Sequence, residues 1–154
     1  ATPTVGIGRA ADQLLAGHQR GDTQLMAWDG TTGHPLDGFP QVTSDLALFV
    51  TPAMADVDGD GRNEVLATNG VSLLDGIDAT GKAAAGYPKL TGGWSVGTPG
   101  LGDLDGDGRA ELAVTRRDGV LLVWHTAAPT TSLTEWPRFG HDDANTANSL
   151  TPTR

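Results

Sequence analysis

Cysteine is absent from the sequence. Disulfides, thiolate zinc centres and cysteine nucleophiles are therefore excluded. Positive charge is scarce: 10 Lys and Arg stand against 19 Asp and Glu, for a net charge of -9. Phosphate contacts need clustered cations, so no nucleic acid is expected as a partner. Long apolar runs are missing too. A membrane-spanning helix needs about 18 or more consecutive apolar residues, so no membrane insertion is expected. No basic segment leads into an apolar stretch, which is the pattern of an intact signal peptide. What the chain has is turns: 22 Gly and 9 Pro among 154 residues, a length that suits one domain.

A repeat governs what is present. Thr-Pro occurs at Thr2, Thr51 and Thr98, spaced 49 and 47 residues. An aromatic residue precedes proline at Phe39, Tyr87 and Trp136, spaced 48 and 49. The run from Asp56 to Val65, Asp-Val-Asp-Gly-Asp-Gly-Arg-Asn-Glu-Val, returns 47 residues later as Asp103 to Leu112. Three markers with one period divide the chain into units 2–50, 51–97 and 98–146. The first unit is read as degenerate, with Gly6-Ile7-Gly8-Arg9-Ala10 in place of the acidic run.

Each unit reads as strands. Short apolar runs, Val65–Thr68 and Leu112–Thr115, follow the acidic stretches. Asn69-Gly70 and Asp118-Gly119 mark hairpins, and second apolar runs follow at Val71–Leu74 and Val120–Trp124. No segment sustains a 3.6-residue period. About four short antiparallel strands in some 48 residues match the size of a β-propeller blade. The expected fold is all-β: about three four-stranded blades, part of a larger or assembled propeller. Three units do not readily close a ring. The chain is expected to be a C-terminal piece of a longer protein, or to be completed by further copies or another protein chain.

The acidic runs carry the chemistry. Asp56, Asp58, Asp60 and Glu64 stand at relative positions 1, 3, 5 and 9, and Asp103, Asp105, Asp107 and Glu111 repeat them. Four carboxylates in nine residues repel one another unless a cation is present. Hard oxygen donors around a sharp turn suit Ca²⁺, and the carbonyls of Arg62 and Arg109 at position 7 are candidate further ligands. An EF-hand is excluded: it needs Glu at position 12, where Ala67 and Val114 stand inside strand-like runs.

The two loops on this period resemble FG-GAP or VCBS repeats, the calcium-bearing blades of integrin α-subunit propellers and of many secreted bacterial proteins. The resemblance implies one Ca²⁺ on Asp56, Asp58, Asp60, the Arg62 carbonyl and Glu64. It implies a second on Asp103, Asp105, Asp107, the Arg109 carbonyl and Glu111. The tail from Trp136 to Thr146 resembles the segment that closes such arrays, and is expected to supply the outer strand of the last unit. The implied role is a non-catalytic recognition, adhesion or structural accessory module, secreted or on the cell surface. The alternatives are the propeller portion of a secreted hydrolase or lyase, or a lectin with carbohydrate as partner.

Other residue patterns are weighed as decoys. Gly93-Trp94-Ser95-Val96-Gly97 matches G-x-S-x-G, but the nucleophile elbow requires a strand before it and a helix after it. Ser95 is expected on a strand, not in catalysis. His18, His34, His125 and His141 share no spacing and are expected at the surface or in turns. Trp28, Trp124 and Trp136 occupy repeated positions and are expected in packing between units. Trp94 has no counterpart and is the candidate for stacking a sugar. Arg116-Arg117 is expected to be a solvated pair.

Overall fold

The structure is a computed structural model and describes residues 3–9, 23–29, 32, 34–42, 51–95, 97–132, 136–148 and 151–153. Ten strands follow one another among these residues: β1 (Pro3–Arg9), β2 (Thr23–Asp29), β3 (Gln41–Val42), β4 (Ala53–Ala55), β5 (Glu64–Thr68), β6 (Leu73–Ile77), β7 (Lys89–Leu90), β8 (Gly100–Gly102), β9 (Arg109–Thr115) and β10 (Leu121–Pro129). The one helical feature among the described residues is a 3-10 turn, Thr130–Ser132. The protein is all-β. The strands form three antiparallel sheets, β1-β2-β3, β4-β5-β6-β7 and β8-β9-β10. Among the described residues, only the middle sheet has the expected four strands, and no closed ring is present.

The middle sheet is buried on both faces, which explains why β5 reads as a continuous apolar run rather than an alternation. Successive side chains of a strand point to opposite faces. Val65 and Ala67, with Met54, pack against Leu25, Ala27 and Phe39 of the first sheet. Leu66, with Ala53, Ala55, Val57 and Leu74, packs against Leu101, Ala110, Leu112 and Val114 of the third. Full burial of a side chain such as Leu66 is worth about 1.5–3 kcal/mol. The core is therefore two inter-sheet layers, one on either side of β4–β7.

The equivalence of the units is visible bond by bond. Leu36 donates to the Ala27 carbonyl at 2.9 Å and Phe39 to that of Leu36 at 3.1 Å. Ala84 to Gly76 and Tyr87 to Ala84 repeat these bonds at the same lengths. Two details of the sequence register change. Strand β1 lies against β2, with Thr4 opposite Trp28, as β5 lies against β6, with Val65 opposite Ile77. Pro3 therefore begins the counterpart of β5, whereas Pro52 and Pro99 precede β4 and β8. Gly6–Arg9 lie inside β1 and are not a remnant of the acidic loop. The hairpin markers are also offset. The left-handed residue is Gly119 in one turn (φ 88°) but Ser72, not Gly70, in the other (φ 72°). Asn69 holds that turn by accepting from Val71 and Leu73 at 3.1 and 3.0 Å.

The tail departs from expectation as well. Trp136 does not extend the third sheet beyond β10. It exchanges two backbone bonds with Met54 of β4, at 2.8 and 3.2 Å, and the Pro137 carbonyl accepts from Leu101 of β8 at 2.9 Å. The free edges of two first strands thus gain partners, and the Trp136 ring joins the layer between the first and middle sheets.

Candidate functional site

Each acidic run spans the mouth of a hairpin. The β4–β5 register sets Ala55 opposite Glu64, and the β8–β9 register sets Gly102 opposite Glu111. The glutamate at the end of each loop is thereby brought beside the aspartate at its start. Within the first loop, Asp56 accepts from the amides of Gly59 and Gly61 at 2.6 and 3.1 Å. Asp58 accepts from Asp60 at 3.2 Å, Asp60 from Arg62 at 2.8 Å, and Glu64 from Val57 at 2.9 Å. The second loop repeats every bond. Asp103 takes Gly106 and Gly108 at 2.7 and 3.0 Å, and Asp105 takes Asp107 at 3.2 Å. Asp107 takes Arg109 at 2.7 Å and Glu111 takes Leu104 at 2.8 Å. Gly59, Gly61, Gly106 and Gly108 all have φ between 82° and 84°, a region that side chains with a Cβ rarely adopt.

The bonds leave carboxylate oxygens converging. Asp56, Asp58 and Glu64 each offer an oxygen within 4.8 Å of the other two, and so do Asp103, Asp105 and Asp107. Asp60 holds its loop through Arg62 but is outside the first group. Arg62 and Arg109 contribute amide N–H groups to the loops. Burial pushes the Glu64 carboxyl up to about 7. The Val57 N–H offsets part of that rise, and the charges of Asp58, Asp60 and Asp56 add to it. The loops differ in exposure. Gly59 lies under Ala127 of β10, whose amide bonds the Val57 carbonyl at 3.4 Å, while nothing lies within 4 Å of the place a Cβ would take at Gly106. Asp56 is accordingly buried and Asp103 exposed.

One residue that sequence reasoning left at the surface joins the second loop. His125 lies opposite Glu111 in the β9–β10 register, and its Nδ1 stands 3.0 Å from Glu111 Oε1. His125, Glu111 and Asp105 form a third convergent group. The cross-strand register would have revealed it: His125 follows Trp124, the counterpart of Ile77, and so takes the place of Asp78.

The remaining candidates resolve differently. Ser95 forms a single β-bridge with Arg116. Its Oγ is buried without a hydrogen-bond partner among the described residues. Trp94 is half-buried with the Arg117 guanidinium 4.9 Å from its ring centre, so that cation occupies the expected sugar platform. Arg116 pairs with Asp118, so neither arginine is simply solvated. His141 closes a turn, its amide donating to the Arg138 carbonyl at 3.2 Å, but it is not at the surface: it is fully buried, edge-on to Trp136 at 5.1 Å. Beside it, the hydroxyls of Thr146 and Thr151 hold the Asp142 carboxyl well below the usual carboxylate range. His34 is exposed, and His18 lies outside the described residues.

Three small antiparallel sheets joined by paired inter-sheet layers, two of them opening with the same acidic loop, define a β-repeat protein. Residues 56–114 match the family described as FG-GAP-like repeat. This stretch runs from the first acidic loop into β9 and carries the FG-GAP-like repeat. No curated protein and no solved structure matched the chain.

Proposed function

We propose that this chain is a calcium-binding, propeller-like repeat segment with a non-catalytic role in recognition, adhesion or structural support. The observation that carries the reading is the bond-for-bond identity of the loops 56–64 and 103–111. Both fix their backbone through aspartate side chains and turn further carboxylate oxygens toward one another. An all-oxygen donor set of this kind fits Ca²⁺, which accepts six to eight oxygens in flexible geometry, better than Mg²⁺. Two ions are expected, one per loop. Each ion would neutralise the carboxylates and tie the start of its hairpin to the end. Millimolar Ca²⁺ outside the cell saturates even weak sites, which supports a secreted or surface location.

A partner is favoured by one contrast. Val57 is 4% exposed because the third sheet covers it, while its counterpart Leu104 is 62% exposed. A further unit of the same kind, from another protein chain or a second copy, would cover the third sheet as the third covers the middle one. The test of the calcium reading is thermal unfolding in Ca²⁺, in Mg²⁺ and in chelator. Calcium is expected to raise the midpoint well beyond magnesium at equal concentration. Equal midpoints in all three solutions would refute it.

A further inference from the structure

Two loops that agree in every internal bond differ in one donor. In the first, the position across from Glu64 is held by Asp78. Its carboxylate turns away and accepts from the amides of Thr80 and Lys82 at 2.7 and 3.0 Å. The convergent group there, Asp56, Asp58 and Glu64, is all oxygen. In the second, His125 takes that position and reaches across to Glu111. Its Nδ1 is 3.0 Å from Glu111 Oε1, and Asp105 completes the group. The Glu111 side chain is nearly buried and that of His125 largely exposed, so the site has one rigid donor and one that is open to solvent. The β9–β10 register holds up to His125 and shifts between His125 and Pro129, so His125 is the last residue of its regular run.

We propose that the 103–111 loop is a mixed-donor site that takes a first-row transition-metal ion of the Zn²⁺ class on Asp105, Glu111 and His125. The 56–64 loop would take only oxygen-seeking ions. Imidazole nitrogen favours Zn²⁺ and its neighbours, whereas Ca²⁺ selects oxygen. The ring would bind through Nδ1 with its proton on Nε2. Because Asp105 belongs to both convergent groups of this loop, zinc and calcium would compete there and not at the first loop. The inference rests on the loops being cation sites, not on calcium being their usual ion.

The experiment is calorimetric titration of the intact chain with Zn²⁺, with and without Ca²⁺. It is repeated on His125→Ala, His125→Asp and, as a control, His34→Ala. One zinc per chain is expected, displacing calcium from one site only. His125→Ala should weaken zinc at least about tenfold, since even outer-shell changes around a metal cost 10–100-fold. Calcium binding at the first loop should be unchanged in this variant. His125→Asp should lose zinc as well and bind calcium more tightly at the second loop, and His34→Ala should behave as the intact chain. Zinc affinity untouched by His125→Ala, or lost instead in His34→Ala, would overturn the proposal. Zinc binding through His125 in a chain that takes no calcium would refute the calcium reading and leave this one standing.

Discussion

At the scale of single residues, the account turns on carboxylates held close together. Asp58 is central to the first convergent group. Asp58→Ala is expected to lower the unfolding midpoint in calcium buffer and to change it much less in chelator. An ion bound at 100 times its dissociation constant contributes about 2.7 kcal/mol, and that contribution vanishes with the ion. Equal losses in both buffers would mean that Asp58 acts through its bond to Asp60 alone. Glu64 supplies the pH dependence. Its carboxyl is raised from an ordinary 4.5 to about 7 by burial and by its acidic neighbours. The folded state then binds more protons than the unfolded one across that window, so stability without a divalent ion should fall as pH rises from 4.5 to 7. Glu64→Gln should flatten the slope in chelator. Melting curves at several pH values, with and without calcium, check both statements.

At the scale of elements, the hairpins and strand faces carry separate expectations. Ser72 holds a left-handed backbone where the matching turn has Gly119. Ser72→Gly should stabilise the β5–β6 hairpin by up to roughly 1 kcal/mol, the usual relief at such a position. Denaturant midpoints measure it. Gly76 of β6 has the opposite constraint: a Cβ there would stand 2.6 Å from the Tyr87 ring. Gly76→Ala should cost about 1–3 kcal/mol through overpacking. Full retention of stability would show that the ring moves aside freely. These elements also mark where sequence reading succeeds. Acidic loops, Gly-rich turns and short apolar runs are local signals, so β5, β9 and β10 and the acidic loops that lead into β5 and β9 were legible. The place of Ser72 was not, because Asn69 side-chain bonds rather than Gly70 shape that turn. The contact of His125 with Glu111 was not either, because it depends on cross-strand register.

At the scale of the whole molecule, the period of 47 to 49 residues revealed a repeat but not the register of its first copy. Thr2-Pro3 repeats a dipeptide without repeating its structural place. The tail was misread for a similar reason: Trp136 shares a motif with Phe39 and Tyr87 but pairs with β4 instead of capping a sheet. Removing residues 136–154 should therefore open the edges of β4 and β8 by leaving the backbone groups of Met54 and Leu101 without their partners on Trp136 and Pro137. A drop in midpoint together with self-association in light scattering is expected, since unpaired strand edges invite pairing. An unchanged midpoint and mass would show that the tail is dispensable. The most direct test of the central claim, that both acidic loops are cation sites, is calorimetric titration of the chelator-treated chain with Ca²⁺ beside Asp58→Ala and Asp105→Ala. The account predicts two sites in the intact chain and one in each variant. Two sites surviving in either variant, or no calcium binding by the intact chain, would contradict it.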